Sequence, residues 1–325
     1  MILLATFAAI LLQEAPQRVA APGEVPSGLQ TQVMLDRAGF SPGVIDGKIG
    51  ANTKRALQLF QERRAQQPPA AVRPVTNYTI TEADVQGPFA GSIPEDMVEK
   101  ARLPELGYTS ILEALGERFH CTPALLEQLN PNLTLDVGAT IQVPNVEPLV
   151  RPVEQPPITA EAARQNKAAN KATGTSGREN TRPDIMSRPD VIVTVKASTS
   201  DLVVRDASGQ IVMYAPVTTG SQHDPLPIGE WKVNGIQFNP QFRYNPDLFW
   251  DADPAHSKAT LAPGPNNPVG LVWIDLSKPH YGIHGTPEPA AIGKSESHGC
   301  VRLTNWDALR LAGLVKPGTR VIFQP

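Results

Sequence analysis

The spacing of apolar positions changes along the chain, and the change divides it. In "LQTQVMLDRAGFSPGVIDGKIGANTKRALQLFQERR", residues 29–64, Leu29, Val33 and Met34 fall on one helical face, and Gly39 is a stop signal. "SPGVIDGKIG" is turn chemistry centred on Asp46-Gly47. A second helix follows, with Asn52 or Thr53 as cap and Ala56, Leu57 and Phe60 facing inward. "TSILEALGERFHCTPALLEQLNPNL" holds two more helices. Ser110 and Glu113 form a capping box, and Leu112, Leu115 and Phe119 share a face. Thr122 caps the next helix, Pro123 occupies its first turn, and Leu125, Leu126 and Leu129 pack. "VGATIQVPNV" then predicts a short strand ending at Pro144. From residue 189 the period falls to two. "VIVTVKAS", "GEWKVNGIQF", "GLVWIDL" and "RVIFQ" predict strands, and "LVVRDASGQIVMYAPV" predicts a hairpin turning at Ser208-Gly209. Only "NWDALRLAGLV" reads as a helix there, capped by Thr304 or Asn305.

These patterns predict a multidomain chain. We expect a signal-like segment and spacer at 1–24, a small all-α domain at 25–66 and a connector at 67–86. An α+β module follows at 87–146, a linker at 147–188 and a mostly-β, sandwich-like domain at 189–325. The 33 prolines cluster in the connecting stretches, which is why those read as linkers. The last linker opens "EPLVRPVEQPP" and turns polar, so little of it can enter a core. A flexible chain of about 40 residues spans ~35 Å, enough to let a last domain search while the front modules stay attached. A helix over 159–170 is the alternative.

A formal net charge of -3 gives no pull toward nucleic acid or an anionic membrane. The apolar run Ile2–Leu12 is too short to cross a bilayer, which needs about 20 residues, and suits a secretory signal; a buried first helix is the alternative. Of two cysteines, Cys121 lies in an apolar helical context and reads as a small buried residue. Cys300 lies in "SHGCVRL", between His298 and Arg302, so we expect no disulfide.

The candidate chemistry is concentrated in "HYGIHGTPEPAAIGKSESHGCVRL", which holds His280, His284, His298 and Cys300. A thiol attacks well only once deprotonated, and a histidine within reach can take its proton. His284 and His298 both qualify, and local spacing alone favours His298, since residues two apart in a strand share a face. A zinc site is a second reading, but no short ligand pair such as Cys-x-x-Cys is present. Histidines that satisfy loop carbonyls beside an inert cysteine are the third.

Three resemblances sharpen this. Residues 29–64 resemble the small helical peptidoglycan-binding domain of many wall enzymes, through "GF-SPG", "DG" and the following helix. Residues 87–146 resemble a LysM carbohydrate-binding module through "LNPNL" and "VGATIQVP", although the usual opening strand is not evident in 91–110. "IHGTPEPAAIGKSESHGCVRL" resembles the signature of YkuD-type L,D-transpeptidases. "TTGSQHDPLPIGEWKV" and "PGPNNPVGLVWIDL" extend that likeness over 190–325.

The last resemblance implies that Cys300 is the nucleophile and His284 the proton acceptor and donor, its ring oriented by the Gly285 carbonyl. His298, Ser297 and Thr286 line the site. The N–H groups around Gly299 and Cys300 are natural oxyanion donors, because glycine permits close approach. Arg302 holds a substrate carboxylate or braces the loop through an ion pair. His280 falls outside the motif and reads as a surface residue. The implied activity is formation of peptidoglycan cross-links through a cysteinyl thioester on a tetrapeptide stem, by an exported monomer in the periplasm or wall, without metal or other cofactor. An L,D-carboxypeptidase using the same site, and a wall-binding adaptor with a silent catalytic domain, remain the alternatives.

Overall fold

In the computed structural model the described residues are 23–63, 72–152, 158, 159, 161 and 188–325. The run Ile2–Leu12 and most of the 147–188 linker lie outside them. Among the described residues no helix is long and apolar enough to cross a membrane.

The front of the chain forms α1 (Leu29–Arg37), α2 (Ala51–Arg63), β1 (Val75–Thr79), α3 (Glu82–Gln86), α4 (Met97–Lys100), α5 (Ile111–Arg118), α6 (Pro123–Leu129) and β2 (Thr140–Pro144). Helix α2 begins at Ala51, so Asn52 and Thr53 stand in its first turn rather than at its cap. The other caps lie where the sequence puts them. Ser110 accepts from the Glu113 N–H, and Thr122 from the Leu125 N–H. The Glu113 carboxylate, however, closes on Thr109 rather than on Ser110, so the capping box is displaced by one residue.

Two expectations about this front part change. The 67–86 stretch is not only a connector, because β1 and α3 lie in it. Strand β1 pairs antiparallel with β2, Val75 opposite Pro144 and Thr79 opposite Thr140. The opening strand of the second module is therefore "VTNYT", and residues 80–110 are an excursion between it and α5. Nor do the two front modules have separate cores. Leu29, Val33 and Ile45 of the first pack with Leu115, Phe119, Cys121, Leu125, Leu126 and Val143 of the second. Cys121 is a buried free thiol in that cluster, and burial pushes its pKa up.

The rest of the chain is β-rich. It contains β3 (Ile158–Thr159), β4 (Val191–Lys196), β5 (Asp201–Asp206), β6 (Ile211–Pro216), β7 (Gly229–Phe238), β8 (Phe242–Tyr244), β9 (Ala259–Leu261), β10 (Val272–Leu276), β11 (Gly282–His284), β12 (Val301–Arg302), α7 (Asn305–Leu314) and β13 (Arg320–Gln324). Nine of these strands make one curled sheet, ordered β12-β11-β10-β7-β13-β4-β5-β6, with β3 added beside β7. This is a single sheet, not the two stacked sheets of a sandwich. The ten-residue β7 makes the curl possible, because its first half pairs with β13 and its second half with β3, while β10 runs along its other edge. Helix α7 packs Trp306, Ala308, Leu311 and Ala312 into the same core as Val193, Val204, Ile274, Ile283 and Val301. Each such fully buried large side chain contributes roughly 1.5–3 kcal/mol. The β5–β6 hairpin turns as the sequence predicts: Asp206 Oδ1 accepts from the Ser208 and Gln210 N–H groups, and Gly209 takes a φ of +82°.

The front modules sit on this domain. Phe40 and Tyr214 form a bridge between backbones and share a cluster with Leu35, Leu59, Phe60 and Ile211. The N-terminal half of α7 is the main polar seam. Ser41 Oγ donates to Asp307 Oδ2 at 2.7 Å, and Arg310 meets Asp36 at 3.2 Å. His120 lies 3.0 Å from Asp36 and stacks on Trp306, centroids 5.0 Å apart and planes 8° apart. In this arrangement the front modules are a fixed support for the sheet, not a freely trailing tether. The 147–188 linker likewise starts ordered: Leu149 enters the sheet's core and residues 158–159 add a strand, while 162–187, which hold most of the alternative helix at 159–170, lie outside the described residues.

Candidate active site

The site grows from the parallel pairing of β11 with β12. Ile283 stands opposite Val301, and His284 opposite Arg302. Paired residues leave a sheet on the same face. Ile283 and Val301 are buried in the core, so His284 and Arg302 leave on the other side. Cys300 precedes Val301 and lies level with Gly282. Its sulfur is within reach of the Gly282 backbone amide, and it lies 3.8 Å from the His280 carbonyl oxygen. Residues sixteen positions apart in sequence are thereby brought to one sheet edge.

His284 is 4% exposed. Its Nδ1 lies 2.7 Å from the Gly285 carbonyl oxygen. A carbonyl only accepts, so Nδ1 carries the hydrogen and Nε2 presents a lone pair. Burial, with help from the Arg302 charge, pulls the imidazole pKa down to about 3, against the opposing Gly285 hydrogen bond. The ring is therefore neutral at physiological pH. The Trp273 indole stacks on it at 5.5 Å and 20°. Trp273 is the cross-strand partner of His284 on β10, and its ring also crosses the bare backbone of Gly282, where a Cβ would collide with it.

Cys300 is partly exposed as a residue. Burial of the sulfur raises its pKa, while the Gly282 amide and the Arg302 charge act to lower it. At rest the pair is a neutral thiol and a neutral imidazole. Arg302 itself is partly desolvated, which lowers its pKa, while Cys300 and the Glu288 carboxylate act to hold its charge; among the described residues neither that carboxylate nor any other forms a direct ion pair with it. The loop-bracing ion pair offered by the sequence is absent among them, and the guanidinium stays available.

The remaining residues of the motif divide by what they touch. Ser297 is buried and its Oγ donates to the Cys300 carbonyl at 2.6 Å, while its N–H donates to Thr219. Thr286 is buried and accepts from the Glu288 N–H at 3.2 Å. Both hydroxyls hold loop backbone. Gly299 has a φ of +93°, and a Cβ there would lie 2.7 Å from the Tyr281 ring. This turn breaks the two-residue alternation that would have put His298 beside Cys300. His298 instead bonds Asp251 at 2.8 Å and packs its ring edge on Phe249. Among the described residues the N–H groups of Gly299 and Cys300 donate to no protein acceptor. His280 is exposed, as its place outside the motif suggests, though its carbonyl reaches the sulfur.

Sequence reasoning missed Trp273, Tyr281 and the rim loop carrying Phe249, Trp250 and Asp251. Trp250 is 60% exposed and stacks on His223 at 4.3 Å. A signal for Trp273 was present: in "VWIDL" the inward Val272, Ile274 and Leu276 leave the tryptophan on the opposite face. Among the described residues no three His, Cys, Asp or Glu side chains are grouped to hold a metal ion.

A neutral thiol and a buried, oriented imidazole at one sheet edge, beside a cation and two free amide donors, can carry out acyl transfer at a carbonyl. The YkuD model, which describes the L,D-transpeptidase catalytic domain, matches residues 189–323. YqjB of Bacillus subtilis is 31% identical over 138 residues, covering 41% of this chain and 70% of that protein. The chain belongs to the YkuD L,D-transpeptidase family. Among its relatives, YkuD of Bacillus licheniformis is 54% identical over 63 residues, which is 19% of this chain and 38% of that protein. YbiS of Escherichia coli is 30% identical over 149 residues, covering 43% of this chain and 48% of that protein. The match thus spans about half or less of those two relatives. The family match, residues 189–323, contains β11, β12 and Cys300. The front modules lie outside the family match.

Proposed function

We propose that this protein is an exported L,D-transpeptidase that cross-links peptidoglycan through a thioester on Cys300. The observation that carries this reading is the pairing of β11 with β12, which brings His284 and, one residue before β12, Cys300 to one sheet edge, with the His284 tautomer set by Gly285. His284 Nε2 takes the thiol proton as sulfur attacks the carbonyl that joins the third stem residue to the terminal D-residue. The oxyanion draws on the N–H groups of Gly299 and Cys300. The C–N bond breaks, and His284 returns the proton to the departing D-amino acid. An amine of a neighbouring stem then attacks the thioester, giving its proton to His284, and the C–S bond breaks to restore the thiol. Arg302 is suited to a substrate carboxylate, because it is not spent on an internal ion pair.

The full chain incubated with disaccharide-tetrapeptide is expected to give cross-linked dimers and free D-alanine by mass spectrometry. Trimmed monomers alone would mean that water resolves the thioester and the protein is an L,D-carboxypeptidase. Unchanged substrate would favour the wall-binding adaptor. We propose a monomer, located in the periplasm or wall, whose front modules meet the glycan; sedimentation with insoluble sacculi checks that contact.

His298 has a lesser part in this reading. His298→Gln frees the 249–251 rim but leaves the Cys300–His284 pair in place. Its acylation by a carbapenem is expected to slow by no more than about tenfold, the worth of one surface hydrogen bond. Stopped-flow acylation checks this, and a much larger loss would assign His298 the proton transfer.

A further inference from the structure

We infer that Glu117, on helix α5 of the second front module, is a positioning residue for His284, acting through Asn305. This rests on the reading of His284 as the base. Glu117 Oε1 accepts from Asn305 Nδ2 at 2.7 Å, and Glu117 Oε2 accepts from the Tyr108 hydroxyl at 2.6 Å. Asn305 is the first residue of α7 and is fully buried. Its amide has one oxygen and one NH2, so fixing one end fixes the other. With Nδ2 held by Glu117 and the Pro265 carbonyl, Oδ1 must face the opposite way, where it accepts from the Leu271 N–H at 3.0 Å.

That oxygen occupies the space that side chains at Gly270 and Gly285 would need; a Cβ at either would run into it. Gly285 is the residue whose carbonyl holds His284 Nδ1, and its own N–H donates to Val272 at 3.2 Å. Glu117, Asn305, Gly285 and His284 are therefore successive contacts in one line. Neither Glu117 nor Tyr108 belongs to the segment that matches the family model, which begins at residue 189. The catalytic domain's own Asn305 is left without its carboxylate partner unless the front module is docked. Held then only by its 3.3 Å contact to the Pro265 carbonyl, the buried amide tilts or admits water, and either shift passes to the Leu271 N–H and the Gly285 backbone that its oxygen touches. In this chain the front module thus completes the wall behind the base.

The test uses the full chain. Glu117→Ala is expected to slow carbapenem acylation by about tenfold, the scale of a sub-ångström misplacement of a reacting group. Glu117→Gln keeps an acceptor for Asn305 and should stay within about twofold of wild type. Tyr108→Phe removes a hydrogen bond on the far side of Glu117 only. It should lower the melting temperature without slowing acylation beyond about twofold, so it separates stability from positioning. Amide exchange at Leu271 should quicken in Glu117→Ala relative to Val204 on the distant β5. If Glu117→Ala does not fold, Glu117→Asp, whose carboxylate is drawn back by one methylene, takes its place. The proposal is overturned if Glu117→Gln or Tyr108→Phe is as slow as Glu117→Ala, or if Leu271 exchange does not change. A wild-type protein that no carbapenem acylates would overturn the enzyme reading instead, and Leu271 exchange would still decide whether Glu117 holds the loop.

Discussion

Cys300→Ser is expected to abolish carbapenem adducts, with acylation at least about 10⁴-fold slower, the scale on which loss of a nucleophile acts in acyl transfer. The conservative look of this substitution is misleading here. His284 has been made a weak base, with its pKa down at about 3 through burial and the nearby Arg302 charge. Such a base cannot pull a proton from an alcohol, whose pKa lies far above that of a thiol. A thiol is different because its own pKa is only about 8.5, so far less is asked of the base. The Gly282 amide and the Arg302 charge both favour the thiolate over the thiol, partly offsetting the burial that raises its pKa. Intact-mass spectrometry after incubation with a carbapenem checks the result, and a serine adduct forming at a comparable rate would show that the base is stronger than its surroundings allow. The same electrostatics give a second reading of the thiol. Its alkylation by iodoacetamide should rise with pH as thiolate accumulates, with no inflection near 6.5, since the neighbouring ring stays neutral throughout.

Much of this site was legible because a short stretch of sequence carries it. The strands at 272–276 and 320–324 follow from short runs of β-branched and aromatic residues, and α7 from its cap and its apolar face. The identity of the base did not follow from local pattern. Two-residue spacing favoured His298, whereas in the structure Gly299 at φ +93° turns the chain between His298 and Cys300, and His298 bonds Asp251. The His284 assignment came from resemblance, and its physical basis is a parallel strand pair between distant segments, which no periodicity reveals. Strand β1 was missed for a related reason. "VTNYT" is short and mostly solvent-facing, and its strand partner among the described residues lies more than sixty residues away. The joint between modules was hidden for another. Asn305 reads as a helix cap, and nothing in the local pattern singles out Glu117. Their burial against each other is a tertiary fact, as is the single core shared by the two front modules.

His284→Gln is expected to lower the acylation rate by about 10²–10⁴-fold, the contribution of a positioned general base, and to change how stability depends on pH. The buried ring is neutral in the fold down to about pH 3 but charges near 6.5 when unfolded. As pH falls from 6.5 toward 3 the unfolded chain gains a proton that the folded chain refuses, so stability is lost over that window, by as much as about 5 kcal/mol. Glu117 acts in the opposite sense. Burial raises its pKa from 4.5 to about 7, against its hydrogen bonds from Tyr108 and Asn305, so the folded chain holds a proton that the unfolded one releases. Stability from this group is present below 4.5 and is lost as pH rises to about 7. Between about 4.5 and 6.5 the two effects oppose, and the wild-type melting temperature should vary little through them. Below 4.5 the His284 loss continues against the buried Asp307, whose pKa burial raises, and Asp36, which despite the cost of burial is lowered to about 2 by its contacts with His120 and Arg310, adds a second loss below 3.8. Stability should therefore fall steeply in that acid range. The glutamine variant lacks the His284 contribution, so its melting temperature should rise as pH drops from 6.5 to 4.5, where Glu117 is left unopposed. Thermal melts across pH 3–8 on the inactive variant check this independently of any turnover. A variant curve that simply parallels the wild type would mean that the ring titrates in the fold as it does in the unfolded chain, and that burial does not hold it neutral.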